Sequence, residues 1–546
     1  MIKTFRLPRV AACVAVAASA LCTQARAEEI RHVLMVSVDG LHALDVANYV
    51  KSHPHSAMAE LASHGVTYTV ARTPENSDSF PGLLAMVTGG TSISHGLFYD
   101  VSYDRSYFVN GDSTCSGAVN DAVPGAVQSA GPGSTIAFDE SIDLYDTSSG
   151  TAVSKNVIDP KALPYRLDMH GKCVAVYPHD AIRANTIFEV VKAHGGRTAW
   201  ADKHPAYDLV NGPSGKGVDD LYTPEITNVG GLDNTVSVYC TVQNDYLKVN
   251  GVLNQIHGRT HDGKPARVPA VFGMNFQAVS VGQKLDHDNK AGGCESSPLA
   301  GKPGGYLDGA GTPTTVLQYG LDATDAALQS MIDALKSERL YDSTLFIVTA
   351  KHGQSPINPA KVNKPGHFAD LVAGLTPSGQ AEIDGQAAMN VAAGCGNGPC
   401  GFVQDDDIAL IWLQDQGQTG NVTTLLNNHA KELFIDEVMS GHEITLKFDN
   451  PLHDSRTPDL LVQPQYGTVY TTSNKKNAEH GGFSFGDTNV GMIVSNPAIE
   501  AAVVKTPVTT AQVPVTALKA LGLDPQELDS VRKEHTQALP GLELSH

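Results

Sequence analysis

The sequence is short of positive charge. Its 38 Lys and Arg residues stand against 58 Asp and Glu residues, which gives a formal net charge of −20 at pH 7. No basic run stands out, so the composition argues against a protein that follows the phosphate backbone, and no stable nucleic-acid partner is expected. Beyond residue 27 the chain lacks any run approaching about 18 consecutive apolar residues, so no membrane-spanning helix is predicted.

Two common catalytic motifs are absent as well. The chain has no HExxH metal-binding motif. The segment GPSGKG at 212–217 lacks the first glycine of a P-loop, so it indicates a turn. These absences argue against the enzyme classes that such motifs would indicate.

The eight cysteines include no CxxC pair, so neither a zinc knuckle nor a thioredoxin-type motif is available. Cys13 and Cys22 lie in the N-terminal segment. The remaining six are an even number, which favours structural disulfides in an exported chain. Six cysteines allow 15 pairings, and only Cys395–Cys400 is a natural local pair. The six are Cys115, Cys173, Cys240, Cys294, Cys395 and Cys400.

The first 27 residues predict a secretory signal peptide. A basic start and a short apolar run occupy residues 3–21, and an A-x-A sequence at 25–27 supplies a cleavage site. The apolar run is too short to cross a membrane. A retained anchor, or a lipoprotein attached through Cys22, is the alternative. We expect a mature chain of residues 28–546 that is periplasmic or secreted.

Short apolar runs that end in polar or glycine-rich loops recur along the chain. Because these runs are continuous rather than alternating, they predict strands buried on both faces, as in a parallel sheet. Helical patterns lie between them, so the sequence predicts an α/β fold with a mostly parallel central sheet flanked by helices. The strand runs are at 30–38, 269–276, 344–350, 459–463 and 490–494, and the helical segments are at 186–193, 322–340 and 513–521.

Two stretches depart from this alternation. Residues 101–180 are rich in Gly, Ser and Asp, and residues 360–456 form a mixed, partly acidic segment. We predict that both are insertions on the core, with the possible role of a cap over the site. Ligands of α/β folds bind beyond the carboxyl ends of the strands, which is where Asp39 and the Lys351-His352 pair fall.

The segment from 77 to 100, SDSFPGLLAMVTGGTSISHGLFYD, is the most informative. Pro81 suits the first turn of a helix that begins around Pro81-Gly82 and continues through LLAMV. Ser79 then lies just before a helix N-terminus, where unpaired N–H groups and the helix dipole favour an anion. A serine there can attack an ester whose oxyanion the helix end stabilises. The alternative is that Ser79 only caps the helix.

The order of these and later motifs resembles the alkaline phosphatase superfamily, and within it the type I phosphodiesterase/nucleotide pyrophosphatase branch. The resemblance covers most of residues 30–526 and implies an alkaline phosphatase-like catalytic core with cap insertions. The matching pieces are VSVDGL (36–41), SFPGLLAMVTGG (79–90), SHGLFYD (94–100), KHG (351–353), RTPDLLV (456–462), EHGG (479–482), GMIVSNP (491–497) and TTAQVPVTALKALGLDP (509–525).

The resemblance implies a hydrolase with two metal ions, usually zinc, beside a Thr, Ser or Cys nucleophile. The metals activate the nucleophile and neutralise the oxygens of the transferred group. Carried over to this chain, Ser79 is the nucleophile. Asp39 and His352 are ligands of the second metal, and His480 is a ligand of the first.

Three departures from the family pattern weaken the metal sites. Lys351 stands where the family usually has the Asp of Asp-His-Gly. The Asp-x-x-x-His pair that usually follows the middle strand is replaced by QAVSVGQ, with Gln277 and Gln283. Gly82 replaces an Asn that usually follows the Phe-Pro of the nucleophile motif. Three of six ligands remain, divided between the two sites, and we assign the two glutamines and Gly82 to substrate binding.

The charge at position 351 leads to two hypotheses. In the first, one metal or none is bound, and Lys351 acts with His352 and His480 in place of the metals, as a fixed charge beside a phosphoryl or sulfuryl oxygen. In the second, side chains of the DHDN segment at 286–289 complete a shifted metal site, although a solvated loop is the simpler interpretation of that segment. The expected cofactor is a divalent metal, zinc by the resemblance, numbering one, two or none.

Lys203 and His204 are a weaker candidate. They follow the apolar segment 198–201, so they can line the pocket or lie in a surface loop. We predict that Lys203 and His204 lie in a surface loop rather than in the lining of the pocket.

The sequence therefore predicts an exported hydrolase that cleaves phosphodiester or pyrophosphate bonds through a covalent intermediate on Ser79. Its expected substrate is a small anionic phosphate or sulfate ester. A phosphomonoesterase or sulfatase of the same superfamily is the nearest alternative. A catalytically silent binding protein with degenerate metal sites is the alternative from another class.

Overall fold

The computed structural model describes residues 29–116, 133–138, 140–148, 150, 152–227, 232–289, 297–375, 402–413, 415–473 and 475–542. The predicted signal peptide lies outside these residues, as do Cys294, Cys395 and Cys400. The expectation of structural disulfides is confirmed by the bond between Cys115 and Cys173. Cys240 is disulfide-bonded as well.

An eight-stranded sheet forms the centre of the molecule, and its middle strands are buried on both faces. Every residue of Val271–Phe276 and Thr344–Thr349 is buried, and His32–Val38 differs only at its first residue. Their continuous apolar sequences predicted this burial. Across the sheet the strands follow the order Asp220–Tyr222, Ala199–Ala201, Val271–Phe276, His32–Val38, Thr344–Thr349, Ile493–Ser495, Gly65–Tyr68 and Ala502–Val504.

The sheet is mostly parallel, as predicted. Its strand pairs are all parallel except the two made by Ile493–Ser495, which is antiparallel to Thr344–Thr349 and to Gly65–Tyr68. The predicted run 490–494 is only in part a core strand. Its start belongs to Asn489–Val490, which pairs in a separate three-stranded sheet.

The predicted run 459–463 is a strand, Leu460–Pro464, but it belongs to an antiparallel sheet of four strands. Its apolar sequence is continuous because both faces are covered: Leu460 and Val462 pack into one apolar cluster and Leu461 into another. Burial on both faces therefore does not by itself place a strand in a parallel sheet. The other strands of this sheet are Phe402–Asp405, Ala409–Trp412 and Ile435–Ser440.

Both predicted insertions contain β structure of their own. The second, at 360–456, contributes three strands of the four-stranded sheet, whose remaining strand lies beyond the predicted boundary. The first, at 101–180, contains three antiparallel pairs: Val101–Asp104 with Ser134–Ala137, Asp143–Asp146 with Val153–Ile158, and Tyr165–Leu167 with Cys173–Ala175.

The helices include the three predicted segments. Thr315–Ser337 begins earlier than predicted, where the Thr314 side chain accepts a hydrogen bond from Leu317 N–H. In the part of the chain that the structure describes, no helix is both long and apolar enough to cross a membrane. The helices are Ala43–Ser52, Ala57–Ser63, Ser79–Thr88, Ser92–His95, Pro178–Ala181, Ile187–Ala193, Val238–Ile256, Ala278–Lys284, Thr315–Ser337, Phe368–Gly374, Thr419–Asn428, Phe485–Thr488, Gln512–Ala520 and Asp529–Glu534.

Candidate active site

Asp39 lies directly after the central strand His32–Val38 and is fully buried. Its backbone N–H donates to the carbonyl of Phe276 at 2.9 Å, which ties it to the end of the neighbouring strand. The chain then turns at Gly40, whose φ of +79° favours glycine and whose N–H donates to the carbonyl of His352 at 3.1 Å. The carboxylate is thereby fixed at the carboxyl edge of the sheet, where ligands of this fold class bind.

Ser79 is the first residue of the helix Ser79–Thr88, so the helix begins earlier than the sequence predicts. The cap is Asp78, whose carboxylate accepts a hydrogen bond from the N–H of Phe80 at 3.3 Å. The alternative that Ser79 only caps the helix is wrong, because Asp78 fills that position. The Ser79 side chain is close enough to Tyr207 to lower the pKa of that phenol against the rise caused by burial, and it lies at the end of the helix where the dipole favours negative charge.

The two histidines of the motif series converge with Asp39 and Ser79. His352 Nε2 lies 3.6 Å from Asp39 Oδ1, and the rings of His352 and His480 are 3.9 Å apart between centroids. His480 Nδ1 lies 3.3 Å from the carboxylate of Asp78, the neighbour of Ser79 in the chain. Residues from distant parts of the chain thus form one site.

Buried polar atoms without partners mark a ligand position in this site. An unpaired buried polar atom costs about 1–3 kcal/mol unless a ligand or water satisfies it. In this site four buried atoms make no hydrogen bond within the described part of the chain, and they face each other in two pairs: Asp39 Oδ1 with His352 Nε2 at 3.6 Å, and Asp78 Oδ1 with His480 Nδ1 at 3.3 Å. The side open to solvent is formed by residues that keep 4–9% exposure: Ser79, Lys203, Gln277 and His480.

Lys351, predicted as a catalytic residue, is fully buried beside Asp39. Its Nζ donates to the hydroxyl of Tyr207 at 2.6 Å and lies 3.5 Å from Asp39 Oδ2 and 3.8 Å from Asp202 Oδ1. Burial lowers the pKa of Lys351 below its ordinary value, although the two carboxylates oppose that shift. Tyr207, which no sequence motif indicates, connects Lys351 to Ser79.

Lys203 is a second ammonium group in the site, and the prediction of a surface loop at this position is wrong. It follows the core strand Ala199–Ala201 and is buried. Its Nζ donates to Asp39 Oδ2 at 3.0 Å and to Gln277 Oε1 at 2.6 Å. Burial alone would lower the pKa of Lys203, but Asp39 and Asp202 raise it above its ordinary value. The one sequence signal for this residue is its place just after an apolar strand.

The two predicted glutamines lie in different places. Gln277 joins the site through its hydrogen bond from Lys203. Gln283 belongs to a separate buried network, where its Nε2 donates to the carbonyl of Gly40 and to the hydroxyl of Tyr306, each at 2.8 Å. The structure therefore brings only the first of them to Asp39.

Gly82 has a packing role in the structure. A Cβ atom at this position would lie 1.7 Å from the carbonyl oxygen of Lys351. Only glycine lets the helix Ser79–Thr88 approach the chain that carries Lys351 so closely. The departure from the family's Asn therefore coincides with a close backbone contact, and Gly82 presents no side chain to a substrate.

The shifted metal site considered at Asp286, His287 and Asp288 does not form. Asp288 is buried and accepts hydrogen bonds from the Ser237 hydroxyl at 3.1 Å and the Val238 N–H at 2.7 Å. Asp286 and His287 are exposed and pair with each other at 2.8 Å. Two of the three side chains thus face solvent, while the third supports a helix start, so they share no metal position.

Comparison with known proteins identifies the family of the chain. Residues 33–129 and 284–486, more than half of the chain, match the family described as type I phosphodiesterase/nucleotide pyrophosphatase. The chain therefore belongs to this family, within the alkaline phosphatase superfamily, and it is a hydrolase that acts on phosphodiester bonds. No curated protein matches the chain by sequence.

Solved structures extend the likeness to the whole fold. An inactive variant of murine ectonucleotide pyrophosphatase/phosphodiesterase 5 in complex with AMP matches with a TM-score of 0.52 and 14% identity, covering 91% of this chain and 96% of that chain. A second structure of the murine protein gives the same score and identity and covers 90% of this chain and 96% of that chain. At this identity the likeness establishes the fold.

The two-metal centre that the resemblance implies does not fit the residues of this site. Two of its ligand positions hold Lys351 and Gln277. Burial alone would raise the pKa of Asp39, but Lys203 and Lys351 hold it well below its ordinary value, so this carboxylate already has two cationic partners. Like unit charges 4 Å apart repel by about 4 kcal/mol at an effective dielectric constant near 20, and a dication would repel each ammonium twice as strongly. Among the described residues, no group of three or more His, Cys, Asp or Glu side chains is arranged to hold a metal ion.

Proposed function

We propose that this protein is an exported phosphodiesterase or nucleotide pyrophosphatase that works through a covalent intermediate on Ser79. The convergence of all four motif residues at the carboxyl edge of the sheet carries the proposal. A serine in the first turn of a buried helix, next to fixed positive charge, has the environment that a nucleophile for phosphoryl transfer needs.

The reaction has two steps on phosphorus. Ser79 Oγ attacks the phosphorus atom, a P–Oγ bond forms, and the bond to the leaving alcohol or phosphate oxygen breaks. The proton of the Ser79 hydroxyl passes to the departing oxygen through the polar groups of the site. The intermediate is a phosphodiester between Ser79 and the group that stays on phosphorus. Water then attacks the phosphorus, a P–O bond to water forms as the P–Oγ bond breaks, and a proton of that water passes to Ser79 Oγ.

The residues around Ser79 have different roles in this reaction. The dipole of the helix Ser79–Thr88 and the nearby ammonium charge stabilise the phosphoryl oxygens as negative charge develops. The first N–H groups of the helix are already bonded, that of Phe80 to the carboxylate of Asp78 and that of Gly82 to its carbonyl. Tyr207 orients Ser79 Oγ and is itself held by Lys351. His480, whose pKa burial holds well below its ordinary value, lies beside the helix start with its Nδ1 3.3 Å from the carboxylate of Asp78.

A nucleotide is the substrate class that the comparisons favour. The murine relative is a nucleotide pyrophosphatase/phosphodiesterase by name, and its inactive variant binds AMP. The fixed cations of the site suit the same kind of small anionic ester. The predicted signal peptide and the Cys115–Cys173 disulfide support a periplasmic or secreted location.

Turnover of three esters tests the proposal. Purified protein should hydrolyse bis-p-nitrophenyl phosphate faster than p-nitrophenyl phosphate or p-nitrophenyl sulfate, and Ser79→Ala should be inactive on all three. Preference for the monoester or the sulfate would replace the phosphodiesterase assignment with the corresponding alternative. No turnover of any ester by a folded protein would favour a binding protein.

A further inference from the structure

We propose that the ammonium groups of Lys203 and Lys351 take over the charge role of the two metal ions, so that this hydrolase cleaves its ester without a divalent metal. The proposal rests on the proposed function, because it assigns the positive charge that the reaction of Ser79 needs. It differs from the family pattern, in which metal ions perform that task.

Lys203 connects the two sets of residues that the resemblance assigns to the two metals. Asp39 corresponds to a ligand of the second metal, and Gln277 stands in the segment where the family usually has its Asp-x-x-x-His ligand pair. Lys203 Nζ contacts both, at 3.0 Å from Asp39 Oδ2 and 2.6 Å from Gln277 Oε1. One ammonium group therefore bridges the two ligand sets.

Lys351 occupies a ligand position itself. Its Nζ lies 3.5 Å from Asp39 Oδ2, the same oxygen that accepts the hydrogen bond of Lys203. Asp39 thus acts as the shared counter-ion of two lysines rather than as a metal ligand. Because Asp39 and Asp202 fix both ammonium groups in the folded chain, the charge is in place before a substrate binds.

The two lysines differ in their access to a substrate. The Lys203 side chain keeps 11% exposure, and among the described residues its Nζ has two hydrogen-bond acceptors, which leaves one N–H for a phosphoryl oxygen. Lys351 is fully buried and contacts the hydroxyl of Tyr207, which lies beside Ser79. We therefore assign Lys203 as a catalytic residue and Lys351 as a positioning residue, in place of the direct substrate contact that the sequence predicts for Lys351.

A single metal ion is the strongest alternative. The unpaired atoms of Asp39, His352 and His480 face one region, and a metal held there would make the lysines bystanders. The alternative requires turnover to follow metal content. The proposal requires turnover to be independent of it.

Metal content and chelator sensitivity distinguish the metal-free proposal from the single-metal alternative. Protein purified without a metal-affinity step is assayed on bis-p-nitrophenyl phosphate before and after dialysis against EDTA, and its metals are quantified by plasma mass spectrometry. We expect turnover to stay unchanged while the content of every divalent metal falls well below one equivalent. Turnover that is lost with the metal and restored by zinc would overturn the proposal and leave the phosphodiesterase function standing.

A binding assay supplies a readout that needs no turnover. AMP is titrated calorimetrically in EDTA into Ser79→Ala protein and into the same protein with Lys203→Met. Loss of a charge-assisted hydrogen bond should weaken binding about 10- to 100-fold, whereas Lys203→Arg should keep affinity within a few-fold. Lys192→Met is the control, because it removes a partly exposed lysine that pairs with Asp219 at 2.6 Å, and it should change nothing.

Equal AMP affinity with and without the Lys203 charge would overturn the assignment of Lys203. If Lys203→Met does not fold, Lys203→Gln, which keeps a donor and removes the charge, takes its place with the same expectation. AMP binding in EDTA that depends on Lys203, in a protein that turns over no ester, would contradict the proposed function and still support the charge role of the lysine.

Discussion

The two sides of Ser79 hold their acidic groups in opposite ways. On one side, Asp39 lies between Lys203 and Lys351. Burial alone would raise the pKa of Asp39, but the two ammonium groups hold it well below its ordinary value. This side of the site is a fixed array of paired charges, which suits the binding of a phosphoryl group.

On the other side, the acidic group has no ammonium partner within 4 Å among the described residues. Asp78 has only His480 as an ion-pair partner within 4 Å among the described residues. Burial raises the pKa of Asp78, with the backbone N–H groups of Ser79 and Phe80 opposing the shift, and burial lowers the pKa of His480 well below its ordinary value. The comparison teaches that one helix start can border two environments, one with two ammonium groups around its carboxylate and one in which a histidine is the ion-pair partner of the carboxylate.

Removing the nucleophile between the two sides has the largest expected effect. Ser79→Ala should lower turnover of bis-p-nitrophenyl phosphate by a factor of about 10⁴ or more, because no covalent intermediate can form. The variant should stay folded, since Asp78 caps the helix. Initial rates measure the turnover, and circular dichroism measures whether the variant is folded. A folded variant within about tenfold of the parent protein would refute the nucleophile assignment.

Changing the charged side at Lys351 should have the next largest effect. Lys351→Ala should lower turnover about 10²- to 10³-fold, because it removes a fixed positive charge beside Asp39 as well as the group that holds Tyr207. Lys351→Asp restores the family's carboxylate beside Asp39 and His352, so its zinc content should rise above that of the parent protein even if turnover stays low. Elemental analysis measures the zinc content of the two variants, and initial rates measure their turnover. A fully active Lys351→Ala protein, or a Lys351→Asp protein that takes up no zinc, would contradict this account.

The same substitution on each side of Ser79 tests the comparison itself. Asp39→Asn should lower kcat/KM about 10²-fold, because two ammonium groups lose their counter-ion. Asp78→Asn should cost less than about tenfold, because the amide keeps an acceptor for the N–H of Phe80 and matches the uncharged form that burial favours. Equal losses in the two variants would show that the sides do not differ in charge.

Tyr207→Phe should have a smaller effect and on kcat alone. The ring keeps its contact with Phe80, 5.2 Å between centroids, and its place under the ammonium of Lys351 at 4.3 Å. Only the hydroxyl that orients Ser79 is lost, so kcat should fall about tenfold with KM unchanged. A rise in KM with normal kcat would instead place Tyr207 in substrate binding.

His95, a buried histidine outside the site, isolates what burial does to an imidazole. Burial lowers its pKa from 6.5 to about 3. The unfolded chain therefore binds a proton below pH 6.5 that the folded chain does not, so the free energy of unfolding should fall by up to about 1.4 kcal/mol per pH unit from pH 6.5 downward. His95→Gln should show a shallower fall in urea unfolding between pH 6.5 and pH 4. Identical slopes for the two proteins would contradict the neutral form of His95.

The positions of Asp39 and Ser79 could be predicted because local sequence patterns determine them. A continuous apolar run makes His32–Val38 a buried strand, and Asp39 follows at the edge where ligands bind. Ser79 was placed at a helix start by Pro81, although the cap was assigned one residue too late. In each case neighbours in sequence determine the position.

Lys203 and Tyr207 could not be predicted in the same way. Lys203 follows a strand of only three residues, Ala199–Ala201, which is too short to show a period. Tyr207 lies in the 3₁₀ segment Pro205–Asn211, where no motif indicates a contact with Ser79. These side chains reach the site through the tertiary structure alone. The same limit applies to Leu460–Pro464, whose apolar pattern predicts a strand without indicating its sheet.

Anomalous X-ray diffraction at the zinc edge, from crystals of Ser79→Ala protein grown with AMP and added zinc, tests the central claim most directly. We predict a phosphate oxygen within hydrogen-bond distance of Lys203 Nζ and no anomalous peak beside Asp39. A zinc peak between Asp39, His352 and His480, with the phosphate bound to the metal, would contradict the account.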